Sequence, residues 1–254
     1  MVYGLWLSAA GLQANQYRQD VIANNLANVE TTGFKRDLAV FTERRIAARE
    51  GVGDPGASQP LLESMTGGTF VAPTVTSYEQ GRIDVTNRAL DLALEGDGFF
   101  RVRDGGRVVY TRDGRFAVNE KGELVTVAGG RAVLNDRGVS IQVPPNRVHE
   151  LRFSEDGTIR VGEEEVATLG LADFADKSLL RKVGANLFEA PAGAKVRRSS
   201  ANVRSGAIEA STVDPTTTMV DMIEASRAYQ LNASLISLQD ATLGRAANDI
   251  ARVA

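Results

Sequence analysis

The sequence predicts an α+β fold in which paired N- and C-terminal helices form a coiled-coil-like segment, with an inserted all-β domain of short antiparallel hairpins. Three observations predict it: both chain ends have helical character, glycines recur every eight residues in the middle, and β-prone runs separate those glycines. The predicted segments are an N-terminal helix at 1–36, an extended arm at 37–80, a β domain at 81–209 and a C-terminal helix at 210–254 that pairs with 1–36.

The N-terminal helix is predicted by a run without proline and by a stripe at alternating spacings of four and three. The stripe consists of Leu5, Ala9, Leu12, Gln16, Gln19, Ala23 and Leu26. Only Arg18, Asp20 and Glu30 are charged among the first 33 residues. A helix exposed to solvent normally has a charged face, so this one is expected to be surrounded by protein.

Three asparagines crowd the end of this helix, at Asn24, Asn25 and Asn28. Asparagine is a poor former of helix interiors, but at a packed interface its amide both donates and accepts hydrogen bonds and can fix register. The alternative is a fraying helix end that is rich in capping residues. Gly33 is expected to stop the helix because glycine adopts the left-handed turn conformation.

The arm and the β domain differ in their glycine pattern. Residues 57–80 are rich in Ser, Thr and Gly with little periodicity, which indicates an extended, partly flexible segment. Further on, glycines recur at a spacing of eight, each in a turn-like cluster: Gly98, Gly106, Gly114, Gly122, Gly130 and Gly138. Short β-prone runs between glycine turns are typical of the hairpins of a sandwich or barrel.

The C-terminal helix is expected to begin near Asp214-Pro215, since Asp caps free N–H groups and Pro suits the first helical position. A spacing of seven then joins Met222, Tyr229, Ile236, Leu243 and Ile250. Small or polar residues lie four beyond the first four of these, at Ser226, Ala233, Asp240 and Ala247, so the second seam position is weak. A sustained seven-residue repeat favours a left-handed wrap around a partner helix.

The composition excludes several kinds of site. The 254 residues contain no cysteine and one histidine, His149, which excludes disulfides, thiolate or multi-histidine metal sites and a cysteine nucleophile. The net charge of −3 gives no general attraction to nucleic acid. No run approaches the roughly 20 apolar residues of a membrane helix, and the N-terminal apolar run is short and lacks a preceding Lys or Arg. Neither membrane insertion nor a cleaved signal peptide is therefore expected.

The motifs of known enzymes are weak or missing. The loop Glu95-Gly96-Asp97-Gly98 leads into a β-prone run, whereas a dinucleotide fingerprint leads into a helix, so a hairpin is favoured. Turn chemistry explains Asp97, Asp113 and Asp156, although paired catalytic carboxylates remain an alternative. There is neither a Gly-x-Ser-x-Gly nor a Walker loop. We expect no catalysis, no cofactor and no small-molecule substrate.

Four blocks of the sequence resemble bacterial flagellar rod and hook proteins. The block at 23–36, ANNLANVETTGFKR, is similar to the N-terminal signature of that family. The block at 90–100, LDLALEGDGFF, resembles the opening of its β domain, and YTRDGRF at 110–116 follows as in the family. The block at 219–232, MVDMIEASRAYQLN, resembles its C-terminal helix. The blocks span nearly the whole chain in the family's order.

The resemblance implies a non-catalytic axial protein that is exported unfolded through the flagellar type III apparatus and polymerises helically in the periplasm-spanning rod of the basal body. Its partners would be copies of itself, other rod proteins and the export apparatus. The proximal rod protein is favoured by the short length and by residues 81–91. The distal rod protein is the alternative, favoured by residues 227–230 and 33–36.

The resulting hypothesis is a torque-transmitting rod subunit whose terminal helices carry assembly. The predicted interface residues are Leu5, Leu12, Asn24, Asn25, Leu26, Asn28, Phe34, Met222, Tyr229, Ile236 and Leu243. In the free chain the helices are expected to be partly disordered and to order on assembly. Two hypotheses from other classes are a carbohydrate-active or nucleotide-binding enzyme on the β domain and a coiled-coil adaptor similar to a phage-tail module.

Overall fold

A computed structural model describes residues 2–43, 68–184 and 186–253. Within them the chain forms two compact units: residues 2–27, 37–43, 68–75 and 215–253 belong to the first, and residues 28–36, 76–184 and 186–214 belong to the second. The part of the predicted arm at 44–67 lies outside the described residues. The two helices pack together and the second unit consists of antiparallel strands, so the predicted α+β fold is confirmed.

The first unit contains two helices and a two-stranded ribbon. Helix α1 spans Val2–Ala27 and helix α2 spans Pro215–Val253. Strands β1 (Asp37–Glu43) and β2 (Thr69–Thr76) pair with each other, and β1 also contacts α1. Gly68 lies against Trp6, Leu7 and Ala10 of α1. An isolated two-stranded ribbon is marginal in water, so packing on the helix helps to stabilise it.

The second unit is built from short strands and two 3₁₀ turns. The strands are β3 (Ile83–Val85), β4 (Leu92–Glu95), β5 (Phe99–Asp104), β6 (Arg107–Thr111), β7 (Phe116–Val118), β8 (Leu124–Thr126), β9 (Ala132–Val133), β10 (Leu151–Phe153), β11 (Thr158–Val161), β12 (Glu164–Thr168), β13 (Leu171–Phe174), β14 (Arg181–Lys182), β15 (Leu187–Glu189), β16 (Val196–Arg198), β17 (Asn202–Ser205) and β18 (Ala207–Glu209). The 3₁₀ turns span Pro145–Glu150 and Lys177–Leu179.

These strands form one large sheet and three smaller ones. The large sheet has the order β14-β15-β6-β5-β9-β8-β7, with β13 pairing β5 and β16 pairing β13. Strands β10, β11 and β12 form a meander, and β4 pairs β17 while β3 pairs β18. The principal core holds Phe100 and Phe116 edge to face at 5.1 Å. A second cluster contains Phe99, Tyr110 and Phe174, so aromatic rings fill both cores.

The periodic glycines are needed for two different reasons. Gly106 and Gly122 have φ of +88° and +81°, a region that disfavours residues with a Cβ. Gly114 has no positive φ, but a Cβ there would overlap the carbonyl oxygen of Leu92. The spacing of eight therefore combines turn glycines with one position where two backbones approach closely.

Helix α1 buries a face displaced by one residue from the predicted stripe. This face follows a line through Gly4, Gly11, Arg18 and Asn25. Asn25 is buried on the line itself, and the other buried residues of α1 lie on either side of it: Ser8, Ala14, Val21 and Ile22. The stripe prediction is wrong at Ala9, Gln16 and Ala23, which are exposed. Because α1 has few charges, its apolar pattern alone does not distinguish the buried face from its neighbours.

Helix α2 has the predicted first seam position and a further line of residues beside the predicted second one. Met222, Tyr229, Ile236 and Leu243 are half-buried as the repeat predicts, and the side chain of Ile250 lies outside those described. On the predicted line four residues beyond each of them, Ser226 and Ala233 are half-buried and Asp240 is exposed. A further line lies three residues beyond and comprises Ala225, Asn232, Gln239 and Ala246; Ala225 is fully buried and the other three are half-buried. An apolar pattern does not predict this line, because two of its residues, Asn232 and Gln239, are polar.

Candidate assembly surfaces and a buried ion cluster

The helices meet along a line of small and polar residues, called the seam below. A Cβ on Gly4 would lie 3.0 Å from Gln239 Nε2, and one on Gly11 would lie 3.1 Å from Asn232 Oδ1. The glycines are seven residues apart, as are their partners, so the contacts repeat at one heptad in antiparallel order. Arg18 continues the line, and its Nη2 lies 3.8 Å from Asp221 Oδ1. Glycine thus allows each amide side chain to approach the facing backbone.

Six of the eight apolar residues predicted for the interface lie beside this seam. Leu5, Leu12, Met222, Tyr229, Ile236 and Leu243 are all half-buried. Each has apolar surface left to bury, because α1 and α2 together cover it only in part. Leu26, near the end of α1, is half-buried as well.

A second apolar surface lies on α2 outside the seam, and it is called the outer face below. Its large side chains are Met219, Val220, Ile223, Leu231, Leu235 and Leu238, all between 47% and 66% exposed. A helix with apolar residues on opposite sides is typically buried on both. Trp6 on α1 is 48% exposed as well. The outer face was not predicted from the sequence, because the seven-residue repeat defines only one stripe along the helix.

The predicted asparagines have different positions. Asn25 is buried and joins α1 to β1: its Nδ2 donates to the Asp37 carbonyl at 2.7 Å, and its Oδ1 accepts from the Asp37 N–H at 2.9 Å. Asn28 Oδ1 accepts from Thr31 Oγ1 at 3.2 Å where the helix ends. Asn24 is exposed. Asn25 therefore fixes a register inside the subunit, and Asn24 is the asparagine that faces outward.

Phe34 is an internal residue of the second unit. Its side chain is buried, and Lys182 Nζ lies 4.4 Å from the centroid of its ring. The Lys182 ammonium also donates to the Lys35 carbonyl at 2.5 Å. A cation placed over an aromatic face is stabilised by the ring quadrupole. The structure thus gives Phe34 a packing role within the chain.

A buried ion cluster of Lys35, Arg112 and Glu209 lies next to Phe34. Lys35 Nζ is 2.6 Å from one Glu209 oxygen and Arg112 Nη1 is 3.1 Å from the other; all three side chains are at most 3% exposed. The Gly81 N–H donates to the same carboxylate at 2.8 Å. Charges are buried at this depth only when they are paired and hydrogen-bonded. No sequence pattern indicated the cluster, because Lys35 and Glu209 are 174 residues apart.

Burial governs the titration of the two cations. Desolvation lowers the pKa of the Lys35 ammonium below its ordinary 10.5, and the Glu209 carboxylate opposes that shift. Desolvation likewise lowers the pKa of the Arg112 guanidinium, again against Glu209. Arg112 also donates to the Gly96 carbonyl at 2.7 Å. This carbonyl contact satisfies an N–H group of Nη2, which does not bond to the Glu209 carboxylate.

Backbone hydrogen bonds hold the surrounding segments to one another. The Gly33 N–H donates to the Glu209 carbonyl at 2.7 Å, and the Ser77 N–H donates to the Arg36 carbonyl at 2.9 Å. The Thr212 N–H donates to the Phe34 carbonyl at 3.0 Å. Three chain segments far apart in sequence are therefore fastened at the place where each enters or leaves the second unit.

The carboxylates considered for catalysis serve separate turns. Asp113 binds Arg115 through Oδ1 and Oδ2 at 3.0 and 2.8 Å. Asp156 accepts from the N–H and hydroxyl of Thr158, both at 2.9 Å, and Asp97 lies 2.5 Å from Lys177. Among the described residues no group of three acidic, His or Cys side chains is placed to hold a metal. No helix in the described part of the chain is long and apolar enough to cross a membrane.

Comparison with known proteins gives matches along most of the chain. Residues 7–35 match the family model described as "Flagella basal body rod protein". Residues 93–161 match "Flagellar hook protein FlgE/F/G D1 domain", and residues 204–249 match "Flagellar basal body rod FlgEFG protein C-terminal". The order agrees with the resemblance seen in the sequence blocks.

Full-length relatives agree with these models. The flagellar basal-body rod protein FlgG of Borreliella burgdorferi is 34% identical over 266 aligned positions, which cover 98% of each chain. FlgG of Bacillus subtilis is 32% identical, covering 98% of this chain and 99% of the relative. FlgF of Caulobacter vibrioides is 36% identical over 230 positions, covering 90% and 89%. The predicted resemblance is confirmed, and the chain belongs to the flagellar basal-body rod protein family.

Proposed function

We propose that this chain is a structural subunit of the distal flagellar rod and polymerises helically through its terminal helices. The observation that carries the proposal is the outer face of α2, on which Leu231 and Leu238 are 66% and 60% exposed. Several large apolar side chains exposed on one helix are typical of an interaction site. The half-buried residues beside the seam would complete their burial in the same contact.

Helical growth follows from the placement of these surfaces. The outer face lies on one helix, and Trp6 and the leucines beside the seam add apolar surface on the other. When different surfaces of identical subunits meet head to tail without closing a ring, an open helical polymer results. The rod-protein names of the relatives support association with other rod components.

The buried ion cluster and its backbone bonds suit a subunit that transmits torque. Lys35, Glu209 and the hydrogen bonds around them hold residues 28–36 within the β unit. The cluster resists deformation under load because separating its charges would leave one of them buried and unpaired. The proposed mechanism is mechanical, with the β unit serving as the wall of the tube.

Delivery through the flagellar type III apparatus is part of the proposal. A chain with no cysteine needs no disulfide and can fold and assemble after passage in an unfolded state.

The position of the chain in the rod is a separate question. The expectation of a proximal rod protein is not supported, because the relatives that match the full length are named FlgG.

The assembly test places charge on the outer face. We expect the double variant Leu231→Asp/Leu238→Asp to be lost from isolated basal bodies and to abolish motility, because each carboxylate would be buried without a partner. Gln230→Asp on the same helix is the control for the poor helix propensity of Asp, and it should assemble. Normal amounts of the double variant in basal bodies would refute the role of the outer face.

The position test uses electron microscopy of basal bodies from cells that lack the chain. Loss of a distal subunit should leave a shortened rod still attached at the inner membrane. Loss of a proximal subunit should leave no rod beyond the first subunits. The second result would restore the proximal assignment while leaving membership of the rod intact.

An enzyme on the β domain is not proposed. A carbohydrate-active site needs two carboxylates that converge on one bond. Asp97, Asp113 and Asp156 instead bind groups of their own turns or a lysine.

A further inference from the structure

An arginine-lined groove of about 440 Å³ lies on the second unit. Its lining residues include three arginines, Arg101, Arg197 and Arg198, and the apolar Leu171. Asp136 is the single acidic residue among those that line it. The groove therefore carries a net positive charge, in contrast to the overall net charge of −3.

The positive charge in the groove is compensated only in part, by Asp136 and by Asp173, which lies opposite Arg197 on β13. Arg197 and Arg198 are exposed on β16, and neither forms an ion pair with a described residue. Arg101 Nη1 donates to the Asp136 carbonyl at 3.2 Å, but its Nε is buried without an acceptor in the described part of the protein. A buried donor without a partner costs free energy.

An acidic hairpin tip on the same unit has the opposite charge. Strands β11 and β12 are joined by the turn Gly162–Glu163, and three successive glutamates, Glu163, Glu164 and Glu165, are exposed. Glu164 lies 3.9 Å from Arg147, yet its side chain is still 76% exposed. Glu165 lies opposite Arg160 in the register of the hairpin, and Glu163 lies in the turn itself.

The tip does not reach the groove of its own subunit. The Thr168 end of β12 adjoins the groove, since the Asp136 N–H donates to the Thr168 carbonyl at 3.2 Å and Leu169 lines the cavity. Glu164 is at the other end of this strand, about 13 Å away at roughly 3.3 Å per residue. The hairpin thus holds its carboxylates away from the groove of its own subunit, although the Thr168 end of β12 lies beside that groove.

We propose that the acidic tip of one copy docks in the arginine groove of a neighbouring copy. Arginine forms bidentate hydrogen bonds with carboxylates, and the apolar floor would receive the methylene groups of the glutamates. Tip and groove are different surfaces, so the contact can repeat head to tail from one copy to the next, as the proposed polymer requires. This inference rests on the proposed self-assembly and adds a contact between β units to the helix contacts.

A cysteine cross-link tests the proposal cleanly because the chain has no cysteine of its own. Full-length Glu164→Cys and Arg197→Cys versions, carrying different tags, are produced together, and their basal bodies are isolated and oxidised. We expect a disulfide-linked dimer that contains both tags. Glu120→Cys, an exposed glutamate in another hairpin turn, replaces Glu164→Cys in the control and should give no dimer with Arg197→Cys.

The outcomes separate this proposal from the proposed function. Basal bodies that contain both versions but give no mixed dimer, or as much with Glu120→Cys, would overturn the docking and leave the rod assignment standing. Absence of the unmodified chain from basal bodies would overturn both.

Charge reversal tests the chemistry of the same contact. We expect Arg197→Glu/Arg198→Glu to lower incorporation into basal bodies about tenfold or more, as for the loss of charged pairs at an interface. Combining it with Glu163→Lys/Glu164→Lys should restore incorporation, because the signs are exchanged. Loss without rescue would assign the groove to another anion, such as a polymer of the cell envelope, and would overturn the proposal.

Discussion

Lys35 shows how a single residue can matter far from any surface. Its ammonium is sealed from solvent with Glu209 and Arg112, and it also donates to the Glu79 carbonyl at 2.5 Å. Lys35 lies in the block that resembles the family signature, but the sequence does not predict that its partner is Glu209. A contact between residues 174 positions apart is set by the folded β unit and leaves no local pattern.

Removing one member of the ion cluster should be costly. We expect Lys35→Met to lower the free energy of unfolding of the second unit by about 3–5 kcal/mol, because Glu209 would remain buried with half of its pairing lost. Urea unfolding followed by circular dichroism measures this. The matched control is Arg36→Met, whose pair with Glu79 is exposed and should be worth about 1 kcal/mol or less. Equal effects of the two variants would contradict the account.

The natural protein and Lys35→Met also give a prediction about pH. Because burial lowers the pKa of Lys35 below 10.5, the unfolded chain binds more protons than the folded chain between the lowered value and 10.5. The free energy of unfolding due to this group therefore rises with pH across that window. The stability of the natural protein relative to Lys35→Met should increase as the pH approaches 10.5. A decrease over that range would show that Glu209 outweighs burial.

At the scale of elements, the seam between α1 and α2 depends on residues that carry little hydrophobic signal. The heptad of α2 was predictable from Met222, Tyr229, Ile236 and Leu243. The buried line of α1 was not, because glycines mark it and the adjacent leucines drew the prediction one residue away. Where two backbones approach closely a glycine is needed, and a glycine does not contribute to an apolar pattern.

A bulky residue at Gly11 should separate the helices. We expect Gly11→Leu to accelerate amide hydrogen exchange in α1 and α2 about tenfold or more, under conditions in which the natural helices are protected, because overpacking costs roughly 1–3 kcal/mol. Gly244→Leu is the control: a Cβ at this position of α2 would have no described atom within 4 Å, so exchange should be unchanged or slower. Unchanged exchange in Gly11→Leu would mean that the seam does not hold the helices.

At the scale of the whole molecule, the chain runs from the helical unit into the β unit and back twice. It enters at residue 28, returns at 37, enters again at 76 and leaves at 214. Periodicity and glycine turns were enough to predict terminal helices and an inserted β domain. They did not predict which short segments join which unit, since residues 28–36 and 37–75 lack a strong period. Their places are decided by the ion cluster, by Asn25 and by pairing of β1 with β2.

Burial of the outer face of α2 between subunits can be measured as a change in the rate of thiol labelling. Leu231→Cys supplies one thiol in a chain without cysteine, and cysteine is a small hydrophobe that should permit assembly. Maleimide modification is measured on the free chain, on isolated basal bodies and on denatured material as the fully accessible reference. We expect rapid labelling of the free chain and strong protection in basal bodies. Equal labelling rates in the free and assembled protein would contradict the account.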